Sequence, residues 1–208
     1  MRMTLKDYLK NVKDDNTALI GVDLQNDFGD PKGSLYVKGG EKLGEISCML
    51  ADEFANMWDR VFWTQDFHPK NHCSFKDNGG VWPTHCVQDE WGSEIMFSVV
   101  PLEDDTFIFK GTDPAVDSYS AFFDNDKKTQ TILHETLQKL GIKKLLVMGI
   151  ATDYCVKFTA LDALKLGYEV ALYLPGCVGV GPIPGVTDKT VDDAIKEMED
   201  AETVIVTE

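Results

Sequence analysis

Apolar residues fall into two rhythms along this chain. Short runs that are apolar at nearly every position recur as "TALIGVDL", "RVFWT", "TFIFK", "KKLLVMGI", "YEVALYL" and "TVIVT". Between them lie longer stretches in which apolar residues return every three or four positions: "EKLGEISCMLADEFANMW", "TQTILHETLQKLG", "DYCVKFTALDALKLG" and "VDDAIKEMED". The first rhythm predicts strands and the second predicts amphipathic helices. Six short apolar strands with helices between them imply an α/β fold, a mostly parallel sheet with helices on both faces, Rossmann-like and three-layered. Residues 66–105 break both rhythms and are rich in Gly, Pro, His and Trp. They predict a long irregular segment. At the N-terminus, Leu5, Tyr8, Leu9 and Val12 form one stripe of a short helix, expected to pack on the body of the protein or on a second subunit.

Length and composition narrow the picture only a little. The 208 residues fit one domain, 1–208, with 1–16 as an N-terminal extension. A hydrophobic share of 43% and a charged share of 26% are those of an ordinary globular chain. The longest apolar runs are strand-sized, which excludes a membrane span, and the first sixteen residues have neither the apolar stretch nor the cleavage site of a signal peptide. The net charge of −15 argues against nucleic acid, because neutralising phosphates takes clustered Lys and Arg. The acid of "DKTVDDAIKEMEDAE" reads as a solvated helix face. Five scattered cysteines, an odd number in no ribbon or disulfide spacing, point to a reducing, cytoplasmic setting.

In open parallel sheets, chemistry collects at the carboxyl ends of the strands, near the point where strand order reverses. Asp23 closes the first predicted strand, Asp66 follows the second, Lys110 ends the third and Cys155 opens the helix after the fourth. With a strand order of 3-2-1-4-5-6, Asp23 and Cys155 face each other across one crevice. A cysteine at a strand–helix junction is placed as a nucleophile rather than as core filling. Its thiolate is expected to be favoured by the helix N-terminus and by Lys110, with Asp23 as general base sharing the proton. Backbone N–H groups around Ala151 and Cys155 are candidates for an oxyanion hole.

Three of the four histidines fall in the irregular segment, in "TQDFHPKNHCSF" and "VWPTHCVQ". Asp66 and His68 are two apart and project the same way in extended chain. With His72 and His85 they make a carboxylate–imidazole set suited to one divalent ion: zinc first, iron or manganese as alternatives. A closed zinc site using Cys73 and Cys86 is disfavoured, since each neighbours a histidine and points the opposite way. His134, mid-helix, reads as a surface residue.

The stretches "ALIGVDLQNDF", "TQDFHP", "WPTHCVQ", "FKGTDPAVDSYSAFFDN" and "GIATDYCV" together resemble the motifs of nicotinamidases, amidases of the isochorismatase-like cysteine hydrolase superfamily. The Asp…Lys…Cys set points to the superfamily, and the histidine loop narrows it. The resemblance implies hydrolysis of nicotinamide to nicotinate and ammonia in NAD salvage, with pyrazinamide as a further substrate. It assigns Asp23 as base, Lys110 as third triad member and Cys155 as the nucleophile that forms a thioester. It further implies a cis Ile150–Ala151 peptide with the oxyanion hole at Ala151 and Cys155. Phe28, Trp82 and Tyr119 would sandwich the pyridine ring, and Asp66, His68 and His85 would bind metal. The fourth ligand is His72 or, through water, Asp117. Homo-oligomerisation stays open.

Two other readings compete. One is a sister amide hydrolase of the superfamily, which would lack the histidine loop or the cysteine. The other is a non-catalytic metal-binding or redox protein, which would hold its ion in a closed site.

Overall fold

The computed structural model describes residues 1–12, 16–54, 60–183 and 186–208. In chain order it contains strand β1 (Arg2–Thr4), helix α1 (Leu5–Val12), β2 (Thr17–Val22), the single turn α2 (Asn26–Gly29), α3 (Leu43–Phe54) and β3 (Val61–Asp66). Then follow β4 (Thr106–Lys110), α4 (Leu133–Lys139), β5 (Lys144–Ile150), α5 (Lys157–Lys165), β6 (Glu169–Val178), α6 (Val191–Asp200) and β7 (Val204–Thr207). The sheet order is β1-β7-β6-β5-β2-β3-β4, and every pairing is parallel. For the six expected strands this is the order 3-2-1-4-5-6.

The seventh strand corrects the expected count of six. β1 pairs Arg2 with Ile205, Met3 with Val206 and Thr4 with Thr207, on the outer edge of β7. It is three residues long with one apolar position, too short to carry a period. Short, polar edge strands are also what discourages further strand addition.

The central strands are apolar on both sides because both faces are covered. In β5, Leu146, Met148 and Ile150 enter the core beneath α1 and α3, while Leu145 and Val147 enter the core beneath α4, α5 and α6. β2 divides in the same way, Leu19 to one face and Ala18, Ile20 and Val22 to the other. Successive strand residues point to opposite faces, so a run buried on both sides needs apolar residues throughout. Gly149, with φ of 132°, is required here: a Cβ would stand 2.1 Å from the Val22 carbonyl oxygen. That close approach brings the ends of β2 and β5 together.

The N-terminal stripe forms a helix as expected, with Tyr8 buried and Leu5 and Leu9 packed against the first core. The helix expected from "TQTILHETLQKLG" begins only at Leu133, and the strand expected to end at Leu174 continues to Val178. Residues 55–58 of the expected "EKLGEISCMLADEFANMW" helix lie outside the described residues. Segment 67–105 holds no α-helix or β-strand, only two 3-10 turns and isolated bridges.

Candidate active site

Four side chains expected at the carboxyl edge of the sheet meet there. Lys110, the last residue of β4 and 1% exposed, is the hub. Its ammonium pairs with Asp66 Oδ1, lies 2.9 Å from Asp23 Oδ2 and 3.5 Å from Cys155 Sγ, and donates to the Ser118 carbonyl at 3.3 Å. Asp23 is held from the other side by Thr64, whose hydroxyl donates to Oδ1 at 2.6 Å. Its Oδ2 is buried, with the Lys110 ammonium as its ion-pair partner. That oxygen is open to the Cys155 thiol, which lies within 4.8 Å of the Asp23 and Asp66 carboxylates.

The electrostatics differ from the expected thiolate. Burial pushes the Cys155 thiol well up; the lysine charge opposes this, while Asp23 and Asp66 reinforce it. The helix-end argument also weakens, since Cys155 sits within a π-helical turn, Thr152–Val156, before α5 begins. Burial raises Asp23 as well, against the pull of Lys110. Both groups thus hold their protons more tightly than usual and lie close together, which suits proton exchange between the two.

Asp66 joins this cluster to the histidines. Its Oδ2 lies 3.5 Å from His68 Nε2 and 4.0 Å from His85 Nε2. Burial favours its neutral form, but Lys110, His68 and His85 together hold its pKa below the ordinary carboxylate range. Both imidazoles are oriented through Nδ1, which donates to the Gly111 carbonyl in His68 (2.8 Å) and to the Pro83 carbonyl in His85 (2.7 Å). Each thus turns its Nε2 toward Asp66; burial lowers the His68 pKa, but the Asp66 carboxylate outweighs it and raises the value. Gly111, at φ of 62°, permits this: a Cβ would stand 2.3 Å from the His68 ring. Burial and the nearby His68 push His85 down to about 4, so it is neutral and can act as a ligand.

Asp66, His68 and His85 form one group able to hold a metal ion; His68, His72 and Asp117 form another. His72 stacks on His68 with ring centres 4.0 Å apart, and its nitrogens face Ser74 Oγ (2.7 Å) and the Val116 carbonyl (3.2 Å). Cys73 and Cys86 join neither group; Cys86 is buried with Sγ 3.7 Å from the Gly92 carbonyl. His134, expected at the surface, is half-buried, its Nδ1 2.9 Å from the Tyr168 hydroxyl.

A pocket of about 430 Å³ opens over these groups. Phe28, Trp82, Tyr119, Asp66, His85, Asp117, Ala151 and Cys155 all line it, whereas Asp23, Lys110, His68 and His72 are not among its lining residues. The Ile150–Ala151 peptide beside it is cis, as the resemblance implied. Leu35, Val37, Ser118, Tyr154 and Val180 also line the pocket and were not anticipated. Nor were three buried polar residues that hold its walls. Gln25 brackets the Asp66 backbone, donating to its carbonyl and accepting its N–H, both at 2.8 Å. Asp27 accepts from Cys86 N (2.7 Å) and Ser34 N (2.9 Å), and Asp153 accepts from Val180 N (3.0 Å) and Gly181 N (2.8 Å). Gln25 and Asp27 lie within the quoted "ALIGVDLQNDF", and Tyr154 adjoins the cysteine; those positions were the available signal.

Comparison with known proteins identifies the family. The family model described as the isochorismatase domain matches residues 17–208. The chain is 42% identical over 182 residues to the nicotinamidase of Escherichia coli, a match covering 80% of this chain and 85% of that one. It superimposes on the pyrazinamidase of Pyrococcus horikoshii in complex with zinc with a TM-score of 0.82 at 38% identity, covering 93% and 99% of the two chains. The yeast nicotinamidase bound to the inhibitor nicotinaldehyde gives a TM-score of 0.81 at 28% identity, covering 92% and 100%. With the family model spanning most of the chain and the reactive side chains gathered where β2 and β5 end, the chain belongs to the isochorismatase family.

Proposed function

We propose that this protein is a metal-dependent nicotinamidase that hydrolyses nicotinamide to nicotinate and ammonia through a thioester on Cys155. The observation that carries the reading is the shared cavity, in which a buried Asp23–Lys110–Cys155 cluster opens onto a ring-sized pocket also lined by Asp66 and His85. Support comes from the relatives whose names state the same activity.

In this mechanism Asp23 Oδ2 takes the thiol proton as sulfur attacks the carboxamide carbon, and Lys110 balances the negative charge on the pair. The amide N–H groups of Ala151 and Cys155 hold the oxyanion that forms. Collapse breaks the C–N bond, the proton returns from Asp23 to the leaving nitrogen, and ammonia departs. Water then attacks the thioester with Asp23 again as base, releasing nicotinate and restoring the thiol. Phe28, Trp82 and Tyr119 hold the ring meanwhile.

Asp66, His68 and His85 would hold the divalent ion. Their donor set of one carboxylate and two Nε2 atoms, with each Nδ1 committed to a carbonyl, fits zinc, and also iron or manganese. Bound there, the ion supplies a Lewis-acid position for the ring nitrogen. His72 could join as fourth ligand only by leaving the Val116 carbonyl, and Asp117 stands close enough to act through water. With all five cysteines free, we place the enzyme in the reducing cytoplasm, in NAD salvage. Among the described residues, no helix is long and apolar enough to cross a membrane.

The experiment is ammonia release from nicotinamide, pyrazinamide and benzamide at equal concentration. The first two should be hydrolysed and benzamide, which lacks the ring nitrogen, rejected by a factor reaching about 10⁴ in kcat/KM. Comparable values for benzamide and nicotinamide would refute recognition of the ring nitrogen.

A further inference from the structure

The substrate pocket has a neighbour. A second cavity of about 630 Å³ lies beside it, bordered by Lys157, Phe158, Thr187 and Lys189, and the two share the side chains of Tyr119 and Tyr154. Tyr119 is fixed: Trp82 Nε1 donates to its hydroxyl at 3.1 Å, and its ring stacks on Phe158 with centres 5.3 Å apart at 23°. Tyr154 closes the remaining gap. Its ring meets Trp82 edge-on, 4.9 Å and 82°, and Tyr119 at 5.5 Å and 61°. It precedes Cys155 in the same π-helical turn, so its backbone is anchored to the nucleophile.

From this arrangement, and resting on the nicotinamidase reading above, we infer that Tyr154 is a specificity-determining residue. It is the partition that limits the substrate pocket to a single six-membered ring and keeps the adjoining cavity out of it. Tyr119 cannot be the adjustable part of the wall, being tied on two sides; Tyr154 makes only ring contacts, and its hydroxyl, buried, has no hydrogen-bond partner. Edge-on aromatic contacts of this kind add attraction beyond area burial, and hold the ring in place on an anchored backbone. Removing the phenol would join the cavities and give a fused or ring-substituted heteroaromatic amide room for its second ring.

Quinoline-3-carboxamide is the probe, because it keeps the ring nitrogen and carboxamide of nicotinamide and adds one fused ring. The wild type, Tyr154→Ala and Tyr154→Phe are compared, metal-loaded, for kcat/KM on both amides. The ratio of quinoline amide to nicotinamide should rise by about 10–100-fold in Tyr154→Ala and stay within about threefold of wild type in Tyr154→Phe. An unchanged ratio in a folded Tyr154→Ala protein, or a wild type that accepts both amides equally, overturns the inference. Binding of the two amides to Cys155→Ala, with and without Tyr154→Ala, measured by calorimetry, decides the matter without turnover. Tighter binding of the quinoline amide in the double variant supports the partition, and equal or weaker binding overturns it. Tyr154→Val replaces the alanine variant if that one does not fold. A wild type that releases no ammonia from nicotinamide would refute the proposed function, while the binding comparison would still judge Tyr154.

Discussion

At Cys155 two charges of opposite sign compete for one proton. Asp23 raises the thiol's proton affinity and Lys110 lowers it, with burial adding to Asp23's side. Removing each neighbour should therefore move the thiol in opposite directions. The pH midpoint for alkylation of Cys155 by iodoacetamide is expected to fall in Asp23→Asn and to rise in Lys110→Ala. Turnover in Asp23→Asn should nevertheless drop by about 10²–10⁴, because the proton acceptor is gone. Midpoints equal in all three proteins would contradict this account of the site. The reactive residues were legible in the sequence because each follows a strand run. Their proton balance was not, because burial, which sets it, is a property of the assembled fold. The helix-end charge that favoured a thiolate in the sequence is outweighed once Cys155 is buried to 7% exposure.

At the scale of elements, the irregular segment between β3 and β4 is held by side chains from elsewhere. Asp27, beside Phe28 on α2, accepts the N–H of Cys86, and so fixes the peptide that follows His85. Asp27→Ala leaves that buried N–H unpaired, and should cost about 1–3 kcal/mol in denaturant unfolding. It should also weaken zinc binding by about tenfold, measured against a chelating indicator, since supports of this kind typically matter by about 10–100-fold. His68→Ala and His85→Ala should lose bound metal outright by elemental analysis. Chelation should stop ammonia release, with zinc, iron or manganese restoring it; full activity in metal-free protein would contradict the metal assignment. The strands and the histidine loop were readable because period and clustering are local signals. Gln25, Asp27, Asp153 and Val180 were not, because their meaning lies in partners up to 68 positions away. β1 escaped notice for another reason: with three residues, its strand character comes only from the β7 edge it joins.

Across the whole molecule, the sheet separates stability from chemistry. The N-terminal helix α1 packs on the first core through Tyr8, whereas the reactive groups stand at the carboxyl edge of β2, β3 and β4 and just past β5. Tyr8→Ala should cost about 3 kcal/mol and lower Tm by about 6–12 °C, as large-to-small core changes do in chains of this size. Its kcat/KM for nicotinamide below that temperature should match wild type; a large loss would mean the N-terminal segment reaches the site. The central claim is that Cys155 carries the acyl group, and the most direct test is ammonia release from nicotinamide by metal-loaded Cys155→Ala beside the wild type, both shown to be folded. A fall of at least about 10⁴ in kcat is the predicted result, as expected when a nucleophile is removed. Hydrolysis within about tenfold of wild type would contradict it.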